Sequence, residues 1–237
     1  SIARTLRKAG IIMPIVCTPD GKVINGIGRL EMLAELKADT CDVVYISEEE
    51  AKFADAMMDK PLSYYAFEML YWCGIREGEL LALTAADFDF EKETVRINKS
   101  YQRLHGEDVI TTPKTKKSNR IIKMPKFLCE EMQEYLQMLY GLKKKDRIFT
   151  VTKSYLHHEM DRGAKAAGVK RIRIHDLRHS HSSLLIDMGF SAVAIADRVG
   201  HESIDITYQY AHLFPSKQTE MADRLDDLGK GEIENVS

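Results

Sequence analysis

The sequence predicts a mainly helical protein with a small antiparallel β-sheet, preceded by a small α/β segment. Three observations carry this prediction. Long stretches after residue 47 repeat apolar residues at helical spacing and close on glycine. Between residues 94 and 124 the period changes, and TVRINK, DVIT and RIIKM read as three short strands joined by turns. Before residue 47, short β-branched runs alternate with turn residues and one helical pattern.

Taken in order, residues 11–18 (IIMPIVCT) form an apolar strand, and Pro19-Asp20-Gly21 turns the chain into a second strand, KVIN. Gly26-Ile27-Gly28-Arg29 leads into a helix carrying Leu30, Leu33, Ala34 and Leu36, which ends before the strand-like CDVVYI. Ser47-Glu48-Glu49-Glu50 then opens a helix with a capping box and acidic residues at its positive end. Helices are predicted over 48–58, 62–73, 77–84, 126–140, 153–167, 176–188 and 191–199. Gly74, Gly141, Gly168, Gly189 and Gly200 stand at their ends. A last stripe, Met221, Leu225 and Leu228 within 216–229, fits either a core helix or a segment docking on a neighbouring copy. The division expected is 1–46 and 47–237.

Composition excludes several classes. Apolar residues at 44% and charged residues at 30% are ordinary for a globular chain, which removes disordered, collagen-like and coiled-coil readings. No apolar run approaches the roughly 20 residues that span a bilayer, and no signal-peptide pattern is present. A start on Ser1 is expected of a trimmed piece. Cys17, Cys41, Cys73 and Cys129 form no CxxC pair, so a reduced cytoplasmic setting is expected and a zinc site is not.

The net charge of -2 conceals local excess. Residues 96–126 hold nine bases against Glu107 and Asp108, leaving +7; residues 162–181 hold six against Asp176, leaving +5. These stretches are the candidate phosphate-binding face, with Lys116, Lys117, Arg120, Arg173 and His179 as candidate contacts. The acidic residues gather at 47–60 and after 216. His157 and His158 read as a solvated helix face, and Trp72 with the aromatics of 64–71 as core. His175 and His179, four apart, have metal spacing but lack a third ligand.

Four strings stand out: GIREGELLALT (74–84), TPKTKKSNRIIKMP (112–125), HDLRHSHSSLLIDMG (175–189) and VGHESIDITYQYAH (199–212). In order and spacing they resemble the catalytic domain of tyrosine recombinases, the phage-integrase family, over about residues 47–225. The resemblance implies that Arg76, Lys114, His175, Arg178, His201 and Tyr210 are catalytic, with Glu79 as a supporting acid. Tyr210 lies nine positions beyond His201, as the family pattern requires; Tyr208 stands two residues early. It also implies strand exchange on double-stranded DNA, as a tetramer, through a covalent 3′-phosphotyrosyl link and without cofactor or metal.

The chemistry of these residue types agrees. Charge developing on a phosphodiester under attack suits planar guanidinium forks. A tyrosine is only about 0.1% phenolate at pH 7, so it needs nearby positive charge or a base. A leaving sugar oxygen needs a proton, which a lysine can supply.

The first 46 residues resemble part of the ParB-like nuclease superfamily, whose GxxR-type turn opens a helix near a phosphate group. Gly26, Gly28 and Arg29 match that turn; a small α/β appendage without a ligand is the alternative. Two further functions stay open here, a non-catalytic DNA- or nucleotide-binding regulator built on that segment, and a topoisomerase with the same chemistry.

Overall fold

The computed structural model describes residues 15–17, 23–25, 43–45, 47–113, 116–203 and 207. Three short strands, β1 (Ile15–Cys17), β2 (Val23–Asn25) and β3 (Val43–Tyr45), form a sheet of order β2-β1-β3. β1 runs antiparallel to β2 and parallel to β3, so the pairing is mixed. The helix expected at 30–36 and the stripe at 216–229 lie outside the described residues.

Helix α1 (Glu48–Met57) starts on the expected capping box. The Glu50 N–H donates to the Ser47 hydroxyl at 3.2 Å, and the Ser47 N–H donates to the Glu50 carboxylate at 3.0 Å. Helix α2 (Pro61–Cys73) begins on proline, whose missing N–H costs nothing in a first turn. It buries Ala66, Phe67, Met69, Leu70 and Cys73. The aromatic residues of this stretch are core, as expected: Tyr65 stacks on Tyr135, and Trp72 meets Phe127 edge-on.

Helix α3 (Glu77–Ala82) is almost wholly buried and ends two residues short of the sequence prediction. Leu83 turns extended, and Thr84 donates both its N–H and its hydroxyl to Asp87 at the head of a 3₁₀ turn. Strands β4 (Phe88–Asp89), β5 (Thr94–Ile97) and β8 (Arg120–Lys123) form an antiparallel sheet of order β4-β5-β8. Val95 opposes Ile122 and both are buried, while Arg96 and Ile121 face outward, the period-2 signal that marked these strands in the sequence.

A separate hairpin, β6 (Ser100–Leu104) and β7 (Glu107–Thr111), stands between β5 and β8 in the chain. Its two-residue loop, His105-Gly106, has φ of 51° and 86°, the positive pair that a twisted hairpin favours. The sequence reading missed β6, because SYQRL has a single fully buried residue, Tyr101, and is otherwise polar. It missed β4 as well, a strand of two residues.

Helices α4 (Lys126–Met138), α5 (Lys153–Ala167), α6 (Ile174–Asp187) and α7 (Ala192–Val199) complete the described fold. The core lies where α2, α3, α4, α5 and β5–β8 meet, around Leu70, Leu80, Ile97, Ile122, Met132, Phe149 and Leu156. α6 packs on α2 and α7, and α7 packs on β8. The C-terminal ends of α2 and α7, the first turns of α6 and the start of α3 thereby converge. No helix of the described residues is long and apolar enough to cross a membrane.

Candidate active site

The site is built on two glycines that end helices. Gly74 closes α2 at φ 60°, and Gly200 closes α7 at φ 71°. Each presents a carbonyl to one of the candidate arginines. Arg178, 3% exposed, donates from Nη1 to the Gly74 carbonyl at 2.7 Å. Arg76 donates from Nη2 to the Gly200 carbonyl at 3.1 Å. Two arginines that are 102 positions apart in sequence are thus each fixed by a helix end.

Glu79 holds the second side of Arg76. Its carboxylate accepts from the Arg76 backbone N–H and from Arg76 Nη1, both at 2.9 Å. The same carboxylate takes the fork of Arg120, Nη1 at 3.1 Å and Nη2 at 2.9 Å. Burial alone pushes the Glu79 carboxyl up, but the hydrogen bonds and charges of Arg120 and Arg76 hold it below its ordinary value. The carboxylate is therefore ionised at neutral pH, and Arg76 keeps 38% of its side chain open to solvent.

Helix α6 starts at Ile174, two residues earlier than predicted, because the Asp176 carboxylate accepts from the Arg173 N–H at 2.9 Å and moves the cap to Arg173. His175 consequently sits in the first turn and Arg178 in the second. The His175 ring meets His179 edge-on with centroids 4.7 Å apart. Burial lowers the pKa of His175, and the charges of His179, Arg178 and Arg76 lower it further. Among the described residues no three His, Cys, Asp or Glu side chains come together as metal ligands.

His201 follows Gly200 and is 7% exposed. Its Nδ1 lies 2.9 Å from the hydroxyl of the fully buried Thr207. Burial, followed by the charges of Arg178 and Arg76, pushes its pKa down to about 4, so the ring is neutral at pH 7. A neutral ring whose Nδ1 accepts from Thr207 carries its proton on Nε2 and can donate there.

Four of the six candidate catalytic residues are brought together, with Arg76 and Arg178 each within electrostatic reach of both His175 and His201. Lys114 and Tyr210 lie outside the described residues, as do Gly26, Gly28 and Arg29. Of the phosphate candidates, Lys117 is exposed and His179 half-buried; the Lys116 side chain is not described. Arg173 is exposed, but its guanidinium is tied to Asp176 at 2.8 Å.

Arg120 departs from the surface role expected of it. It is turned inward with 7% of its side chain exposed, since Glu79 offers a buried carboxylate that a surface phosphate would have to outbid. His158 is exposed and His157 keeps 45% of its side chain open, in keeping with the solvated face expected, with His157 Nε2 3.5 Å from the Glu77 carboxylate.

Two participants, Arg198 and Thr207, escaped the sequence reading, whereas His181 was expected to pack or to touch phosphate. Arg198 donates to His181 Nε2 at 3.0 Å, to the Lys123 carbonyl at 3.0 Å and to the Trp72 carbonyl at 3.1 Å. His181 is buried, and burial with the Arg198 charge pushes its pKa down to about 3. A base in the last turn of a helix is an ordinary partner for the helix dipole, so nothing in the sequence singled out Arg198.

A profile of the phage integrase family matches residues 43–217. The ICEBs1 integrase of Bacillus subtilis (strain 168) is 35% identical over 196 residues, 76% of this chain and 53% of that protein. A tyrosine recombinase XerC-like protein of Caldanaerobacter subterraneus subsp. tengcongensis is 28% identical over 239 residues, 90% of this chain and 59% of that protein. The chain spans about half the length of the curated relatives it matches. Among solved structures, the Tn1549 transposon integrase in complex with transposon right end DNA superposes with a TM-score of 0.61 at 21% identity. It covers 82% of this chain and 69% of that one. The XerA recombinase gives 0.57 at 25%, covering 76% and 62%. With the family profile spanning most of the chain and a relative above 30% identity, this chain belongs to the phage integrase family.

Proposed function

We propose that residues 47–237 are the catalytic part of a site-specific DNA recombinase, the integrase of a mobile element, acting on double-stranded DNA in the cytoplasm. The observation that carries this reading is the convergence of Arg76, Arg178, His175 and His201 around two helix-end glycines. The start of the family match at residue 43 and of α1 at Glu48 support the division near residue 46.

The proposed reaction is in-line attack by the Tyr210 hydroxyl on a DNA phosphorus. The new bond is a 3′-phosphotyrosyl ester, and the bond to the 5′ oxygen breaks. Arg76 and Arg178 hold the non-bridging oxygens as charge builds on them, and His201 donates a further hydrogen bond from Nε2. Removing one such donor typically slows a reaction by 10²–10³-fold. His175, neutral at pH 7, accepts the phenolic proton, and Lys114 protonates the leaving 5′ oxygen. The ester conserves the bond energy, so a second strand's 5′ hydroxyl reverses the step without ATP or metal. Strand exchange between two duplexes engages four active sites, hence a tetramer.

A pool of nicked duplexes with a randomised centre tests this, because the short 3′ fragment diffuses away and traps the adduct. The expected result is a protein–DNA complex that survives SDS and EDTA, is enriched in one sequence, and is absent with Tyr210→Phe. No adduct with the unaltered chain, or equal trapping by Tyr210→Phe, overturns the proposal.

A further inference from the structure

Arg120 lies outside the set of groups that touch DNA in the proposed reaction, yet its guanidinium makes four hydrogen bonds to three parts of the site. Nε donates to the Arg198 carbonyl at 2.9 Å, in the last turn of α7. Nη1 and Nη2 form the fork on Glu79, which holds Arg76. Nη1 also reaches the Ser118 carbonyl at 3.3 Å, in the segment that leads from β7 to β8. A Cβ placed on Gly200 would lie 3.0 Å from Arg120 Cδ, from its Nη1 and from the Lys117 carbonyl. The side chain therefore fills the space beneath the turn that carries His201. Arg198 makes this seat rigid, since its own guanidinium ties the same turn of α7 to the end of α2, to β8 and to His181.

We propose that Arg120 is a positioning residue for DNA cleavage: it registers Arg76, the Gly200–His201 turn and the 116–120 segment against one another without touching DNA. The proposal rests on the recombinase reading above. Three acceptors from three elements match the planar, five-donor geometry of arginine. A lysine in its place keeps the charge but loses the fork, and a glutamine loses both. A misplacement of Arg76 or His201 by a fraction of an ångström falls on the transition state rather than on DNA affinity.

The test uses the full chain and the nicked duplex recovered from the randomised pool, with DNA affinity and single-turnover cleavage measured separately across salt concentrations. For Arg120→Lys the expected cleavage rate is about 10- to 100-fold below the unaltered chain, with affinity within about twofold and an unchanged salt slope. A residue that met a phosphate would instead lower the slope by about 1 and weaken binding; that result overturns the proposal. So does an unchanged rate in both Arg120→Lys and Arg120→Gln.

A merely structural role is separated by pairing Arg120→Gln with Glu79→Gln, at temperatures below every melting point. If the two act through one fork, the double variant cleaves no more than about threefold slower than the slower single. Multiplying losses overturn the proposal. Should Arg120→Gln not fold, Arg120→Lys with Glu79→Gln gives the same cycle. Absence of any adduct with the unaltered chain sinks the functional reading itself, whereas adduct formation indifferent to Arg120 sinks only this inference.

Discussion

Gly74 and Gly168 end α2 and α5 in the same left-handed conformation, at φ 60° and 67°, yet differ in the space around them. A methyl group on Gly168 meets nothing within 4 Å, whereas one on Gly74 would lie 2.5 Å from His181 Cδ2 and 3.1 Å from its Cγ. Alanine in the left-handed region costs about 1–2 kcal/mol, reduced by the lower entropy of its unfolded chain, so Gly168→Ala is expected to cost about 1 kcal/mol. At Gly74 the imidazole cannot swing aside, because Arg198 holds its Nε2 at 3.0 Å. Overpacking there adds about 1–3 kcal/mol. For a domain of this size the melting temperature falls by about 2–4 °C per kcal/mol, hence about 2–4 °C for Gly168→Ala and about 4–16 °C for Gly74→Ala. Arg178 rests on the Gly74 carbonyl, so Gly74→Ala should also slow cleavage at temperatures where both variants are folded, and Gly168→Ala should not. Calorimetry and single-turnover cleavage at one pH and salt measure both effects. Equal melting temperatures within about 2 °C would refute the packing argument.

Unfolding should become easier as pH falls from about 6.5 towards 4. His181 and His201 are held neutral down to about 3 and about 4, while in the unfolded chain both take up protons near 6.5. Each histidine thus removes up to about 1.4 kcal/mol per pH unit in that window, and urea midpoints at pH 7.5, 6 and 5 that do not move would count against it. Glu159→Ala should cost about 2–3 kcal/mol in urea denaturation, since Lys60, Ser63 and Arg162 all donate to that buried carboxylate; Glu159→Gln should cost less. Thr207→Val should slow cleavage about tenfold with DNA affinity unchanged, because His201 loses the hydrogen bond that holds its ring in place; a loss of affinity with no change in rate would contradict this.

What the sequence made legible was local. Ser47 and Glu50 mark a cap three residues apart, and Gly74 and Gly200 mark helix ends. Arg76, His175, Arg178 and His201 sit in strings whose spacing is itself the signal. Arg120 is the opposite case. Its burial depends on Glu79, 41 positions away, and on a carbonyl 78 positions away, so that within its own stretch it read as one more surface base. Arg198 and His181 owe their roles to the packing of α7 on α6, which no local pattern encodes. Strand β6 was lost because its inner face holds Tyr101, whose ring is covered by Arg147 of a distant loop rather than by an apolar neighbour in sequence.

The same non-local pairing reshapes the charge argument. Of the nine bases between 96 and 126, Lys99 is bound to Asp87, Arg120 to Glu79, Lys123 to Glu93, and Lys126 lies 3.8 Å from Glu130. Those acids all lie outside the stretch whose excess is +7. In 162–181, Arg162 pairs with Glu159 and Asp59, Arg171 with Asp161 and Arg173 with Asp176. Each exposed pair is worth less than about 1 kcal/mol, so a phosphate can draw such a base away, but the freed carboxylate then stays near the DNA and offsets part of the gain. Counterion release follows net neutralisation, at about 0.9 per phosphate for duplex DNA. The pairs therefore place the salt dependence of binding below what fifteen bases in two stretches suggest. They also separate the site's cations into two kinds. Arg76, paired to Glu79 yet 38% exposed, and Lys117 face solvent, whereas Arg120 is spent on holding the frame. On the proposed reading, the net charge of -2 is compatible with DNA because acids such as Glu79 and Glu159 are buried against arginines, and only the exposed pairs offset the charge offered to a phosphate.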